Sequence, residues 1–204
     1  GAGSTHLGHA VVDIAAKAVY HGFQLTADTG LVRNETHVSF SGPDAKLDLS
    51  GLMLGRGRDH IDTTLVVHHA TPGCESRELF KGVLSGRSRG IFNGRVIVRK
   101  DAQQTDAQQK NENLLLGVGA EVDSQPQLEI EADDVKCSHG STIGQLDEDA
   151  VFYLRSRAIG EADAEAMLTR GFAAQITERI ANAALRERIE SLVMARLFAR
   201  ELPA

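Results

Sequence analysis

The sequence predicts a mainly β protein with a helical C-terminal part, on three observations. Apolar and polar residues alternate with period two through much of the stretch from Leu31 to Gly144. Turn residues rich in glycine interrupt that alternation at short intervals. From Asp147 onward the apolar residues switch to helical spacing.

Taken in order, the first segment, His6 to Val19, fits either a helix or a strand followed by an alanine-rich piece. The strands are clearer. Ala45, Leu47 and Leu49 alternate with Lys46, Asp48 and Ser50, and Thr63–Val67 and Arg95–Arg99 are short apolar runs. Leu128, Ile130 and Ala132 take one face while Gln127, Glu129 and Glu131 take the other. Turns are expected at Ser50-Gly51, Gly55-Arg56-Gly57, Pro72-Gly73, Ser85-Gly86 and Asn93-Gly94; the last suits a hairpin or a solenoid corner, since Asn and Gly both accept positive φ. Apolar centres near Leu49, Val66, Val83, Val98, Leu115 and Ile130 recur at roughly 15–17 residues, as stacked rungs would. A β-sandwich gives similar spacing, so pattern alone leaves sandwich and β-solenoid open.

Asp147 is a predicted N-cap, with Glu148 and Asp149 in the favoured acidic first turn. Val151, Leu154 and Ala158 follow at helical spacing, and Gly160 is expected to close this helix in the left-handed conformation. A second helix is expected from Glu161, with a break or bend at Gly171. Ile176, Ile180 and Ala183, then Ile189, Leu192, Val193 and Leu197, make further apolar faces. Three such helices must cap the sheet region or offer a groove to a partner.

Composition narrows the function. The 204 residues carry 20 glycines, 4 prolines, no tryptophan and a net charge of −6, with both signs interspersed. The lack of a basic stripe argues against nucleic acid as a partner. No apolar run is long enough for a membrane span. The opening residues lack a basic region followed by an apolar core, so a secretory signal is not expected, and the chain is expected to begin inside a longer protein. Two cysteines, Cys74 and Cys137, make no disulfide framework and suit a reducing compartment.

The run LEIEADDVKCSHGSTIGQLDED, from Leu128 to Asp149, holds the sharpest chemistry. Cys137 and His139 stand two apart, so a strand presents thiol and imidazole on one face, a pair suited to zinc, iron or an iron–sulfur species. Two ligands do not close a tetrahedral site, and spacing alone favours a buried thiol beside a turn histidine. His68, His69 and Cys74 form a second group, but adjacent histidines in a strand face opposite ways; a half-exposed strand end is the expectation there. His60 and Asp62 share a face and read as polar surface. Ser138 and His139 are adjacent, which does not build a catalytic pair, and no G-x-S-x-G elbow is present. Gly55-Arg56-Gly57 and Gly117-Val118-Gly119 lack the lysine and spacing of a nucleotide loop. Glu129, Glu131, Asp133 and Asp134 read as a solvated acidic face.

The stretch SRELFKGVLSGRSRGIFNGRVIVRKDAQQTDAQQKNENLLLG, continued by AEVDSQPQLEIEADDVKCSHGSTIGQLDEDAVFYLRSRAI, resembles the SufB/SufD family of iron–sulfur cluster assembly proteins closely from Ser76 to Ile159. The resemblance implies a right-handed parallel β-helix over residues 1–146, shortened at its N-terminal side, and a small α-helical domain over 147–204. It implies a non-enzymatic subunit of a cytoplasmic SufBCD complex. A SufB-like partner would pair along the β-helix edge, and a SufC-like ATPase would dock on the helices. Without SufB the same edge would pair two copies of this chain. SufB-type members carry a cysteine where this chain has Asn111 and an acid where it has Gly140; KCSHGST is SufD-like. Cys137 and His139 then match positions placed at the SufB–SufD interface, a candidate half-site for iron or a nascent cluster. No cofactor would bind stably to the chain alone, and iron or a cluster would pass through the complex transiently. The alternatives are a β-helix polysaccharide lyase or hydrolase using Asp133 and Asp134, and a purely structural interaction module.

Overall fold

The computed structural model describes residues 4–27 and 30–198; the outer ends of the two expected domains, residues 1–3 and 199–204, lie outside the described residues. Ten strands come first: β1 (Thr5–Ile14), β2 (Val19–Ala27), β3 (Leu31–Phe40), β4 (Lys46–Gly55), β5 (His60–His69), β6 (Glu75–Ser85), β7 (Arg89–Val98), β8 (Asp106–Leu116), β9 (Glu121–Ile130) and β10 (Lys136–Gly144). Three helices follow: α1 (Glu148–Arg155), α2 (Glu161–Thr177) and α3 (Ala183–Leu197). The ambiguous first segment is therefore strand β1, a corner at Ala15 and Ala16, and the start of β2.

Odd-numbered strands form one five-stranded sheet and even-numbered strands the other, each in sequence order. Every pairing is parallel. A chain that alternates between two parallel sheets and advances one strand in each is a β-solenoid, here of about five turns. Leu31 lies opposite His60, and Arg33 opposite Asp62, a step of 29 residues. Each turn holds two strands, so the recurrence at roughly 15–17 residues is half a turn.

Alternation sends every second side chain into the space between the sheets. β5 buries Ile61, Thr63, Leu65, Val67 and His69, and β7 buries Phe92, Val96 and Val98. Of these, Leu65, Val67, Phe92, Val96 and Val98 join Phe40, Leu47 and Phe80 in the main core. Ser50-Gly51 and Asn93-Gly94 are not turns; they lie inside β4 and β7. A Cβ on Gly51 would stand 2.3 Å from the Phe80 ring, and one on Gly94 would stand 2.3 Å from Gln109 Oε1. Glycine at these two positions serves close approach across the interior, which in sequence mimics a turn signal.

The corners leading from odd to even strands stack on one another. Lys17 N donates to Pro43 O at 2.9 Å, Asp44 N to Pro72 O at 3.2 Å, Gly73 N to Gln103 O at 2.9 Å and Gln104 N to Asp134 O at 2.6 Å. Lys17, Asp44, Gly73 and Gln104 all take positive φ, from 59° to 71°. The residue after each of the last three, Ala45, Cys74 and Thr105, is buried. This repeat is one of backbone shape, carried by unlike side chains.

Asp147 caps α1 as expected, accepting from Asp149 N at 2.9 Å and Ala150 N at 3.3 Å. The left-handed residue beyond α1 is Ala158, with φ 63°, rather than Gly160, which is the N-cap of α2 at φ −59° and ψ 152°. Gly171 does not interrupt α2; Ala173 and Ile176 just beyond it pack on the sheet, outweighing a glycine cost of about 1 kcal/mol. α2 and α3 cover the outer face of the even-numbered sheet, where Leu52, Leu54 and Val83 meet Ala173, Ile176 and Val193. β4 is consequently buried on both faces over most of its length. The fully buried Lys81 fastens the two parts: its Nζ lies 2.9 Å from Glu112 Oε2, 2.5 Å from Gln175 Oε1 and 4.1 Å from the centre of the Phe172 ring. Of the two expected roles for the helices, covering the sheet belongs to α2 and α3. α1 buries no residue, and its Phe152 and Tyr153 are 72% and 55% exposed. Among the described residues no helix is long and apolar enough to cross a membrane.

Candidate functional site

Cys137 and His139 both lie on β10, the outer strand of the even-numbered sheet. Register sets Cys137 opposite Ala107 and His139 opposite Gln109. Both partners are fully buried and face the interior. Paired residues of a parallel ladder share a face, so thiol and imidazole also turn inward. β10 belongs to the last turn, however, and among the described residues no further strand pairs with it. Cys137 is half-buried against the main core, and His139 is exposed. The structure thus places the two predicted donors on one interior face of the last described turn.

Burial pushes the Cys137 thiol above its usual range; a backbone hydrogen bond with Ala107 offsets part of this, while the charges of Asp106 and Glu78 add to it. The group is a thiol at neutral pH, and a metal ion would have to displace its proton.

Behind the pair the interior becomes polar. Leu49, Glu78, Gln109 and His139 occupy one register row across β4, β6, β8 and β10. Neither carboxylate oxygen of Glu78 and neither amide atom of Gln109 has a hydrogen-bond partner among the described residues. Burial pushes the Glu78 carboxyl up to about 7, and nearby Ser76 and Arg77 offset only part of that rise. In the next row, Asn111 Nδ2 donates to Phe80 O at 3.1 Å, and its Oδ1 accepts from Asn113 Nδ2 at 2.6 Å. Asn111, which the resemblance matches to a cysteine, is a buried, hydrogen-bonded amide. Sequence reasoning missed Glu78. The signal was its place between Ser76 and Phe80 at period two, an acid in an interior position.

The second expected group does not converge. His69 is buried, with Nε2 3.0 Å from Ser76 Oγ and its ring 4.5 Å from that of Phe40. Burial, with a smaller contribution from the His68 charge, lowers its pKa to about 4. His68 points outward and accepts from Arg99 Nε at 3.0 Å. Cys74 is buried at its corner, with Sγ 3.4 Å from Thr71 Oγ1. His60 and Asp62 lie half-exposed on the outer face of β5, where Asp62 pairs with Arg33 at 3.3 Å. Arg99 bridges Glu129 and Glu131 at 3.6 and 2.8 Å, and Asp133 and Asp134 are exposed at the corner between β9 and β10, so the acidic run is a solvated face. A further group that sequence reasoning missed, His9, Glu35 and His37, gathers at the other end of the solenoid.

Residues 1–172 match the family described as SUF system FeS cluster assembly, SufBD core domain. The chain is 37% identical over 194 residues to the iron–sulfur cluster assembly protein SufD of Escherichia coli K12, covering 95% of this chain and 46% of that protein. It is 38% identical over 180 residues to an iron–sulfur cluster assembly SufBD family protein of Mycobacterium leprae, covering 84% and 46%. It is 33% identical over 193 residues to the chloroplastic protein ABCI7 of Arabidopsis thaliana, covering 93% and 40%. The chain therefore spans somewhat less than half the length of these relatives. With a match over most of its residues, the chain belongs to the SufBD core-domain family of iron–sulfur cluster assembly proteins and is SufD-like within it.

Proposed function

We propose that this chain is the SufD-like subunit of a cytoplasmic complex with a SufB-like protein and a SufC-like ATPase, and that it handles iron or a nascent cluster where its last solenoid turn meets the SufB-like partner. The observation that carries this reading is the inward thiol and imidazole of Cys137 and His139 on a turn that, among the described residues, no further strand covers. They supply two soft-to-borderline donors of a four-coordinate set, and the partner supplies the rest. The open edge of β10 is a template for strand pairing, either with the SufB-like protein or, in its absence, with a second copy. Iron is a substrate here, held transiently rather than kept.

Docking of the ATPase on the helical region is supported by the exposed Phe152 and Tyr153 of α1. It is supported too by a hollow of about 470 Å³ beside them, lined by Leu116, Val118, Leu146, Val151 and Arg155. ATP hydrolysis belongs to that partner and would move the helices relative to the partner's. The test is co-expression with SufB- and SufC-like partners, comparing iron–sulfur absorbance of the purified complex between wild type and His139→Ala. Output is expected to fall severalfold while the three proteins still co-elute. Undiminished absorbance in that variant would remove His139 from the mechanism.

A further inference from the structure

A second cluster of metal-type donors sits far from β10. Register places His9 of β1 directly opposite Glu35 of β3, and His37 lies two residues further along β3. All three therefore share the outer face of the odd-numbered sheet. Glu35 Oε1 lies 2.7 Å from His37 Nε2, and the His9 and His37 rings have centroids 5.4 Å apart. One donor atom from each of the three falls within 4.8 Å of the other two. The side chains of His37 and Glu35 are 39% and 35% exposed, and His9 is exposed, so an ion from solvent can reach them.

Nothing in the packing requires this convergence. An inward-facing histidine such as His69 is held by a core, but these three are held by register, the Glu35–His37 hydrogen bond and the contact between the two rings. Two imidazoles and a carboxylate are the donor set of zinc and ferrous sites; they are a poor set for calcium or magnesium, which want oxygen throughout. Donors of a tetrahedral zinc site stand ~3.3 Å apart, so exposed side chains need only a small rotation to close on an ion. We propose that His9, Glu35 and His37 bind a first-row divalent cation of the zinc or ferrous type, with water completing its coordination. The ion would clip β1 to β3. It would lie about four strand spacings, ~19 Å, along the solenoid from the last turn, and on the outer rather than the inner face. This site stands independently of the role given to Cys137 and His139.

The test uses the full chain, stripped of metal and titrated with Co²⁺, in a Cys137→Ser/His139→Ala background that removes the other donor pair. A visible d–d band saturating near one equivalent is expected, with a rise in melting temperature when Zn²⁺ is added. Adding His9→Ala or His37→Ala should weaken Co²⁺ binding at least tenfold and abolish the Zn²⁺-dependent rise. Glu35→Gln, close in shape to the original, should weaken binding in the same direction. Because these positions are on the surface, circular dichroism should show all the variants folded. Absence of a saturable band up to about 1 mM Co²⁺, or equal binding after His37→Ala, would overturn the proposal.

Discussion

Two pairs of cysteine and histidine occupy this solenoid, and they differ in what lies on the next turn. His69 and Cys74 sit in the middle of the stack, closed on both sides: His69 is packed on Phe40 and bonded to Ser76, and Cys74 is sealed at a corner. Cys137 and His139 turn toward the same interior but belong to the last turn, where among the described residues no further strand pairs with β10. The same residue types in the same orientation are thus structural in one place and available in the other. Inward orientation does not make a residue core in a solenoid; a covering turn does.

The largest expected break in that comparison is stability. His69→Ala removes a buried ring, its stacking on Phe40 and the partner of Ser76, and should cost about 2–4 kcal/mol in urea unfolding. His139→Ala removes an exposed ring and should stay within about 0.5 kcal/mol of wild type. A cost at position 139 comparable to that at 69 would mean that the last turn is packed like the others.

The next effect is pH-dependent and sets two buried groups against each other. Glu78 titrates near 7 in the folded chain against an ordinary 4.5, so between those values the folded form holds a proton that the unfolded form has lost. Its contribution makes stability fall as pH rises through that window. His69 titrates near 4 when folded against an ordinary 6.5, so there the unfolded form holds the extra proton and stability rises with pH. Each contribution is on the order of 3 kcal/mol when fully developed, and over their shared range the two slopes largely cancel. Glu78→Gln should unmask the histidine. Urea midpoints of the variant should climb steadily between pH 4 and 6.5, and above pH 7 the variant should be more stable than wild type. A variant curve parallel to wild type would show that Glu78 is not a desolvated carboxyl behind the open end.

The strand alternation and the N-cap of α1 were legible in the sequence because they are local. Asp147, and the inward set Ala45, Leu47 and Leu49, follow from spacing alone. Parallel stacking was not legible from pattern, because it rests on corners that repeat φ rather than residue type: lysine, aspartate, glycine and glutamine take equivalent places. Gly51 and Gly94 misled for a related reason, since close packing and chain reversal both call for a residue without a side chain. At the site, the shared face of Cys137 and His139 was legible from period two. Their exposure was not, because it depends on which strand is last in the sheet. His9, Glu35 and His37 escaped notice because their convergence is set by a register between strands that the sequence does not print.

The smallest effect, and the most direct probe of coverage, is thiol reactivity. Both cysteines are free, one buried and one half-buried. A sealed corner gives a maleimide no path to Cys74, so in the native chain only Cys137 should label, with both reacting after unfolding. Labelling of Cys137 should itself be slow near neutral pH and speed up as pH rises, because burial holds its thiol in the protonated form and only the thiolate attacks. Adding a strand-pairing partner over β10 should suppress that reaction, since the partner would then supply a covering turn that the described residues do not. Labelling unchanged on adding such a partner would mean that the open end is not where the partner binds. Fast labelling of native Cys74 would mean that the middle turns open as readily as the last, and the contrast between the two pairs would then disappear.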